Sequence, residues 1–296
     1  MSKTKILAQS KLVMSDQLNS DRQMFGIQFC SDLHLEFNPD MAPIDFSRII
    51  EPKAPVLALL GDIGCPLEAE YQNFLAYVAA RFQLVFVIAG NHEYYNDMDV
   101  TKEEVDAKID ALCRSYPNVI FLQNRSYTIW DAKTVYRIIG TTLWSQVPEE
   151  HQAVVARRIN DYKLIRTNGP GSRSIGILTP AITNEWHQQA VHFLQRELIE
   201  ARAQGQVPIV LTHHVPLLFG TSHTKHNGEP TSSAFASDLS TLIEIGRIKY
   251  WLCGHTHHNF NIACHGTLVT SNQLGYGLFK GYAPQRGFRT DRVLPL

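Results

Sequence analysis

The chain has 296 residues, of which 44% are hydrophobic, so it is long enough and apolar enough to bury a full core. Its 27 basic and 28 acidic residues leave a formal net charge of −1, which excludes a general electrostatic attraction to nucleic acid or to an anionic membrane. The 5 cysteines form no CxxC pair and are odd in number, so neither a disulfide framework nor a zinc ribbon is expected.

The first 24 residues contain scattered polar side chains and no apolar stretch long enough for a signal peptide. No later run could span a bilayer. We therefore expect a cytoplasmic protein without a membrane partner. Residues 1–24 are predicted to form an N-terminal extension and residues 25–296 a single functional domain. Nothing in the sequence indicates the oligomeric state.

Short apolar runs, typical of buried strands, alternate with longer segments whose apolar residues recur at helical spacing. In chain order, the pattern predicts strands at 25–30 and 56–60, a helix at 67–81, a strand at 84–89, a helix at 98–116, strands at 119–122, 127–130 and 135–139, helices at 149–165 and 184–204, a strand at 209–212, a helix at 235–245, and strands at 250–253, 260–263 and 268–270. Segment 219–233 is predicted to be a surface loop. This mixture predicts one α/β domain with helices packed outside two sheets.

Polar side chains that bind metals follow five of the predicted strands. They are Asp32 and His34, Asp62, Asn91 and His92, His213 and His214, and His255 and His257. If the backbone stays extended, residues two apart such as Asp32 and His34 point to the same face. A glycine precedes Asp62, Asn91 and His255, where it permits a sharp turn.

Each of these short motifs is weak evidence alone, because such pairs are common in turns. Their occurrence together at strand ends predicts a site for two divalent cations. Carboxylate, amide and imidazole ligands favour Mn, Fe, Zn, Co or Ni over calcium. Two such cations about 3.5–4 Å apart can share a hydroxide and hold phosphate oxygens. Asp32, Asp62 and that hydroxide would neutralise only part of the metal charge, so the site would attract a phosphate anion.

The segments resemble the five sequence blocks of the calcineurin-like metallophosphoesterase superfamily. The blocks in this chain are Ser31-Asp32-Leu33-His34, Gly61-Asp62, Gly90-Asn91-His92-Glu93, Thr212-His213-His214 and Gly254-His255-Thr256-His257. The resemblance implies a four-layer αββα sandwich, in which two mixed β-sheets are flanked by helices and a dimetal site lies at the sheet edge. Residues 25–296 would be the metallophosphoesterase domain. The protein Ser/Thr phosphatase branch is disfavoured, because it continues the second block as Gly-Asp-x-Val-Asp-Arg-Gly and this chain continues as Ile63-Gly64-Cys65-Pro66.

Carried over residue by residue, the resemblance implies two ligand sets, namely Asp32, His34, Asp62 and His257 for one metal, and Asp62, Asn91, His213 and His255 for the other. Asp62 would bridge the two metals. His213 is preferred to His214 because it is the nearer of the two to the apolar run 209–211, and His214 is then left to line the site as a candidate substrate contact. His92 would lie beside the metals as the general acid, and a structural role is the alternative.

The resemblance favours a phosphodiesterase of small phosphoesters, with a metal-bridging hydroxide as the nucleophile. Phosphomonoesterase activity on small molecules is one alternative, and a non-catalytic protein-binding module on the same fold is another. A nuclease acting on long polymers would need a basic track, which the sequence lacks. Tyr94 and Tyr95 are candidates for stacking on a base or an aryl group, or for simple packing.

Overall fold

The structure, a computed structural model, describes residues 26–37, 43–131, 133–168, 175–278 and 283–296. The predicted N-terminal extension, residues 1–24, lies outside this part of the chain. Two large sheets pack face to face, and helices cover their outer faces. The four-layer αββα sandwich, with two mixed sheets flanked by helices, is therefore confirmed.

The first sheet has the strand order β13-β1-β2-β3-β4. Its strands are β1 (Gly26–Cys30), β2 (Val56–Leu60), β3 (Leu84–Ile88), β4 (Val119–Phe121) and β13 (Val293–Pro295). Strands β1 to β4 pair in parallel, and β13 joins the edge antiparallel to β1. Because β1, β2 and β3 run in the same direction, their carboxyl ends reach one edge of the sheet.

The second sheet has the strand order β11-β12-β10-β9-β6-β5. Its strands are β5 (Arg125–Trp130), β6 (Val135–Thr141), β9 (Val207–Thr212), β10 (Tyr250–Cys253), β11 (Asn261–Cys264) and β12 (Thr267–Ser271). The four inner strands pair in parallel, and β5 and β11 are antiparallel at the edges. A separate ribbon of β7 (Arg166–Asn168) and β8 (Ile175–Ile177) was not predicted from the sequence.

Alternating side chains of the inner strands fill different layers of the core. In β2, Val56, Ala58 and Leu60 lie between the two sheets, whereas Leu57 and Leu59 face the helices. The strand is therefore buried on both faces, which explains why its sequence is apolar throughout. Helices α1 (Ala69–Ala79) and α2 (Lys102–Arg114) cover the first sheet, and α5 (Pro180–Ala203) and α6 (Ser240–Gly246) cover the second.

The helices differ from the prediction mainly at their ends. The predicted helix 149–165 is two helices, α3 (Glu149–Arg158) and α4 (Asp161–Leu164), because Ile159 adopts an extended backbone. Helix α5 begins before residue 184, since Thr179 caps its first turn and a proline occupies the first helical position. The break before α4 is important for the site, because it aims a buried carboxylate, Asp161, at the strand ends.

All 5 cysteines are free, as the sequence indicated, and 4 of them are buried. Within the described ranges, no helix combines the length and hydropathy needed to cross a bilayer.

Candidate metal centre

The loops that follow β1, β2, β3, β9 and β10 meet at one edge of the sandwich. Backbone hydrogen bonds join them: the N–H of Asp32 donates to the carbonyl of Gly61 (3.0 Å), and that of His34 to the carbonyl of Asp62 (3.0 Å). Within the second sheet, the N–H of Gly254 donates to the carbonyl of His213 (2.9 Å), and the N–H of His255 reaches across to the first sheet, where it donates to Asp32 (3.0 Å). The five sequence blocks are therefore adjacent in space.

Asp32, His34 and His257 form the first group of side chains that could hold a cation. The Nε2 atoms of His34 and His257 are 2.9 Å apart, and Nε2 of His257 lies 3.4 Å from Oδ1 of Asp32. The backbone N–H of His255 donates to both carboxylate oxygens of Asp32, at 3.0 and 3.1 Å, and so fixes its orientation.

Asp62, His213 and His255 form the second group, and Asn91 adjoins it. Nε2 of His213 lies 3.4 Å from Oδ2 of Asp62, 3.1 Å from Nδ1 of His255 and 3.1 Å from Oδ1 of Asn91. Nδ1 of His213 must carry a proton, because its partner at 2.8 Å is the carbonyl oxygen of Leu60. In the neutral ring, this leaves a lone pair on Nε2 of His213.

Asp62 lies between the two groups. Its Oδ2 is 3.4 Å from His213 Nε2 and 3.9 Å from His34 Nε2, while Oδ1 accepts the backbone N–H of His92 at 2.9 Å. Burial alone would raise the pKa of Asp62, but the imidazoles of His213 and His92 hold it well below its usual range. The carboxylate is therefore ionised and shared by both groups.

The donor set fits divalent cations. In each group, imidazole nitrogens face one another at about 3 Å beside an ionised carboxylate, an arrangement that a cation would stabilise. Nε2 of His255 is buried and makes no hydrogen bond with any described residue. The amide of Asn91 donates through Nδ2 to Asp161 (2.9 Å), which turns its oxygen toward His213. Such outer partners orient metal ligands.

The way these side chains converge differs from the prediction. Asp32 and His34 do not continue an extended strand, because both adopt left-handed backbone, with φ of 54° and 50°. Asp62, His255 and His257 do the same, with φ of 53°, 74° and 49°. The expectation that an extended backbone places residues two apart on one face is therefore wrong here. Left-handed backbone is uncommon for any residue except glycine, and clusters of it are typical of functional sites.

Gly90 is required by the close approach of Asp62. A Cβ atom at Gly90 would lie 2.2 Å from Oδ1 of Asp62 and 2.7 Å from its backbone nitrogen. Gly90→Ala is expected to displace this carboxylate, lower the bound metal and destabilise the fold by about 1–3 kcal/mol. Metal content and urea denaturation would measure both effects.

Gly176→Ala is the matched control for that substitution, since a Cβ there meets nothing within 4 Å. We expect this variant to match the wild type in both measurements. An unchanged metal content in Gly90→Ala would show that Asp62 does not need its observed position.

Two carboxylates at this edge, one buried and one partly buried, were missed in the sequence. Glu93 ends the Gly-Asn-His-Glu block and accepts the backbone N–H groups of Asp62 (2.9 Å), Ile63 (2.8 Å) and Gly90 (2.7 Å). Burial, with the nearby Asp62 charge, raises the pKa of Glu93 to about 8. Its place at the end of the Gly90-Asn91-His92-Glu93 block was the sequence feature that could have marked Glu93 as part of the site. Glu93 holds the turns after β2 and β3 together.

Glu36 is the other missed carboxylate. Its Oε1 lies 3.0 Å from Nδ1 of His34 and 3.1 Å from Nδ1 of His92. Glu36, His34 and His92 are close enough to form a third group of potential ligands. However, His34 directs its other nitrogen, Nε2, at His257, so Nδ1 most simply carries the proton that Glu36 accepts. No sequence signal distinguished Glu36 from a surface glutamate.

His92 lies beside both groups and lines the cleft. Its ring packs against Tyr95 and His34, with centroid distances of 4.3 and 4.5 Å. Burial alone would lower the pKa of His92, but the charge of Asp62 and the hydrogen bond to Glu36 outweigh it and raise the pKa to about 9. The imidazole is thus held in one orientation by a carboxylate partner.

The structure separates the three candidate substrate contacts. Tyr95 lines the cleft, and its hydroxyl donates to Asp161. Tyr94 is fully buried, and its hydroxyl donates to Asp106 at 2.7 Å. His214 is also fully buried and packs on the ring of His255, with centroids 4.1 Å apart. Neither Tyr94 nor His214 faces the cleft, so substrate contact remains a prediction for Tyr95 alone.

A cleft of about 340 Å³ opens over the two groups. This volume is at the small end of the range for small-molecule sites. His92, His255 and His257 are among the residues that line it. The remaining lining includes Arg158, Asn160, Phe235 and Tyr276, which the sequence did not single out as a set.

Comparisons with known proteins agree with this geometry. The model of the calcineurin-like phosphoesterase family matches residues 26–259. An uncharacterized protein of Acanthamoeba polyphaga mimivirus is 30% identical over 267 residues, which cover 84% of this chain and 91% of that protein.

Two solved structures show the same fold at low identity. The phosphopantetheinyl hydrolase of Mycobacterium tuberculosis superposes with a TM-score of 0.64 at 17% identity, over 86% of this chain and 90% of its own. GAP50 of Plasmodium, described as the anchor in the inner membrane complex, gives a TM-score of 0.50 at 11% identity, over 92% of this chain and 77% of its own.

Proposed function

Because this chain belongs to the calcineurin-like phosphoesterase family and is therefore a metal-dependent phosphoester hydrolase, we propose that it cleaves small phosphodiesters. The observation that carries this proposal is the placement of aromatic side chains beside both ligand groups. Tyr276 packs on the rings of His34 and His257, each at 4.8 Å, next to the first group. Phe235 stacks on His255 at 4.6 Å, next to the second. A diester has two organic substituents for two such walls, whereas a monoester has one.

We propose the ligand sets that the sequence resemblance implied, namely Asp32, His34, Asp62 and His257 for one cation, and Asp62, Asn91, His213 and His255 for the other. When bound, two divalent cations would supply a nucleophile from water at neutral pH and positive charge for the phosphate oxygens. Asp62 would belong to both sets, in keeping with its distances of 3.4 and 3.9 Å to an imidazole of each group.

His92 is proposed as the general acid, with Glu36 as its positioning residue. Glu36 accepts the Nδ1 proton of His92, so that Nε2 of the imidazolium can donate its proton to the leaving oxygen. The backbone N–H of His92 donates to Asp62 at 2.9 Å. This hydrogen bond links the position of His92 to that of the proposed metal ligands. Tyr95 packs against the ring and limits its rotation.

A direct comparison of two chromogenic esters tests the diester proposal. Chelator-stripped protein with Mn²⁺ restored is expected to cleave bis-p-nitrophenyl phosphate with a higher kcat/KM than p-nitrophenyl phosphate, and neither ester without metal. A preference for the monoester would favour a phosphatase of small molecules. The absence of turnover in protein that binds two cations would favour a non-catalytic binding module.

A further inference from the structure

Arg158 is an unpaired cation in the cleft. It is the last residue of α3 and lines the cleft together with Ile159 and Asn160. It takes part in none of the ion pairs or side-chain hydrogen bonds of the described residues. An arginine that lines a cleft without a carboxylate partner is available to an anion from outside the chain.

The carboxylates that line the cleft already have partners. Asp62 accepts the N–H of His92, and Asp161 accepts hydrogen bonds from Asn91 and Tyr95. Neither pairs with Arg158. Among the described residues, Arg158 is thus a guanidinium of the cleft that no acidic side chain neutralises.

Arg158 and the candidate ligands Asp62, Asn91, His255 and His257 line one cleft of about 340 Å³. Asp161, which holds the amide of Asn91 at 2.9 Å, comes three residues after Arg158. Since consecutive Cα atoms are about 3.8 Å apart, the Cα atoms of these two residues are separated by no more than about 11 Å. The long side chain of Arg158 can therefore reach a group one sugar ring away from a phosphate at the metals.

We propose that Arg158 forms a second anion subsite, and that the substrate is a small phosphodiester with a further phosphate on its organic part. This inference rests on the proposed function, because it assigns the scissile phosphate to the metal groups. Guanidinium is suited to phosphate by its planar, bidentate geometry. Asn160 and Thr256, which also line the cleft, add neutral polar groups for the linker between the two phosphates.

A purely structural explanation for Arg158 is its position at a helix carboxyl end, which favours a cation. Arg157 shares that end of α3 and is also exposed, but it does not line the cleft. A role at the helix end would therefore apply to both residues, whereas a role in the cleft applies to Arg158 alone. Arg157 is accordingly the matched control.

Calorimetry on Mn²⁺-loaded protein tests the subsite without requiring turnover. The ligands are thymidine 3′,5′-bisphosphate and thymidine 3′-phosphate, which differ by one phosphate. The wild type is expected to bind the bisphosphate about 10-fold more tightly, as one charge-assisted contact at an exposed site provides. Arg158→Ala is expected to lose this preference, Arg158→Lys to keep part of it, and Arg157→Ala to keep all of it.

The same preference in Arg158→Ala and in the wild type would overturn the proposal. Arg157→Ala, which does not line the cleft, is expected to hydrolyse bis-p-nitrophenyl phosphate as the wild type does. If the wild type fails to cleave this diester but shows an Arg158-dependent preference for the bisphosphate, the phosphodiesterase proposal fails and the anion subsite is supported.

Discussion

Asp62→Ala is expected to reduce phosphoester hydrolysis to the level of the metal-free protein. Asp62 lies between the two ligand groups, at 3.4 Å from Nε2 of His213 and 3.9 Å from Nε2 of His34. Its removal would leave His213 and His255 without a carboxylate and the first group with Asp32 alone, so both groups would attract a cation less strongly. We therefore expect lower occupancy of both metals rather than of one. Elemental analysis and hydrolysis of bis-p-nitrophenyl phosphate would be measured on the same preparation.

Asp110→Ala is a suitable control for that variant. Asp110 lies on the surface of α2, where it pairs with Arg114 and Arg125, and it does not line the cleft. The Asp110→Ala variant should bind metal and cleave the diester as the wild type does. An Asp62→Ala protein that is folded and retains both cations and activity would contradict the bridging position proposed for Asp62.

His92→Ala is expected to slow hydrolysis by about 10²–10⁴-fold while both metals stay bound. The alanine variant keeps the backbone N–H that donates to Asp62, so the ligands should hold their positions. The loss should be greatest for a diester with an alkyl leaving group, because that alcohol departs only with a proton. It should be smaller for p-nitrophenolate, which leaves as a stable anion.

Two further variants test the assignment of the acid. Glu36→Gln removes the charge that faces Nδ1 of His92 but keeps a hydrogen-bonding group, so we expect a smaller loss with the same dependence on leaving group. His226→Ala, which changes an exposed side chain in segment 219–233, should leave the hydrolysis rate unchanged. Loss of metal in His92→Ala would make His92 a ligand or a structural residue. An equal loss for both leaving groups would exclude proton donation.

The sequence predicted the layered fold well, because the inner strands of both sheets are buried on both faces. Strands such as β2 and β3 are continuously apolar and short, so their composition and length identify them. Because these strands pair in parallel, the loops that contain Asp32, Asp62 and His92 lie at one edge of the first sheet. The convergence of the site could be anticipated from chain order alone.

Other features depended on contacts between residues that are distant in the chain. Glu36 looks like an ordinary surface glutamate until the fold brings His92 to within 3.1 Å. The break between α3 and α4 is set by burial of Asp161 against Asn91 and Tyr95, which outweighs local helix propensity. Tyr94 and Tyr95 were both candidates for stacking on a substrate, but the short helical turn after Asn91 directs Tyr94 into the core.

The left-handed backbone at Asp32 and His34 also could not be predicted from the sequence pattern. Asp32 and His34 follow a strand, and extended backbone is the simplest continuation. The observed φ of 54° and 50° is maintained by hydrogen bonds to the neighbouring loop, including those to the carbonyls of Gly61 and Asp62. Such conformations are stable only where the surrounding structure imposes them.

The most direct test of this account is a manganese titration of chelator-stripped protein, with bound metal determined by elemental analysis and diester hydrolysis measured at every step. We expect binding to saturate at two ions per chain, and hydrolysis to appear as the second ion binds. Activity that persists in fully stripped protein, or that reaches its maximum with no metal bound, would contradict a centre in which Asp62 joins two cations.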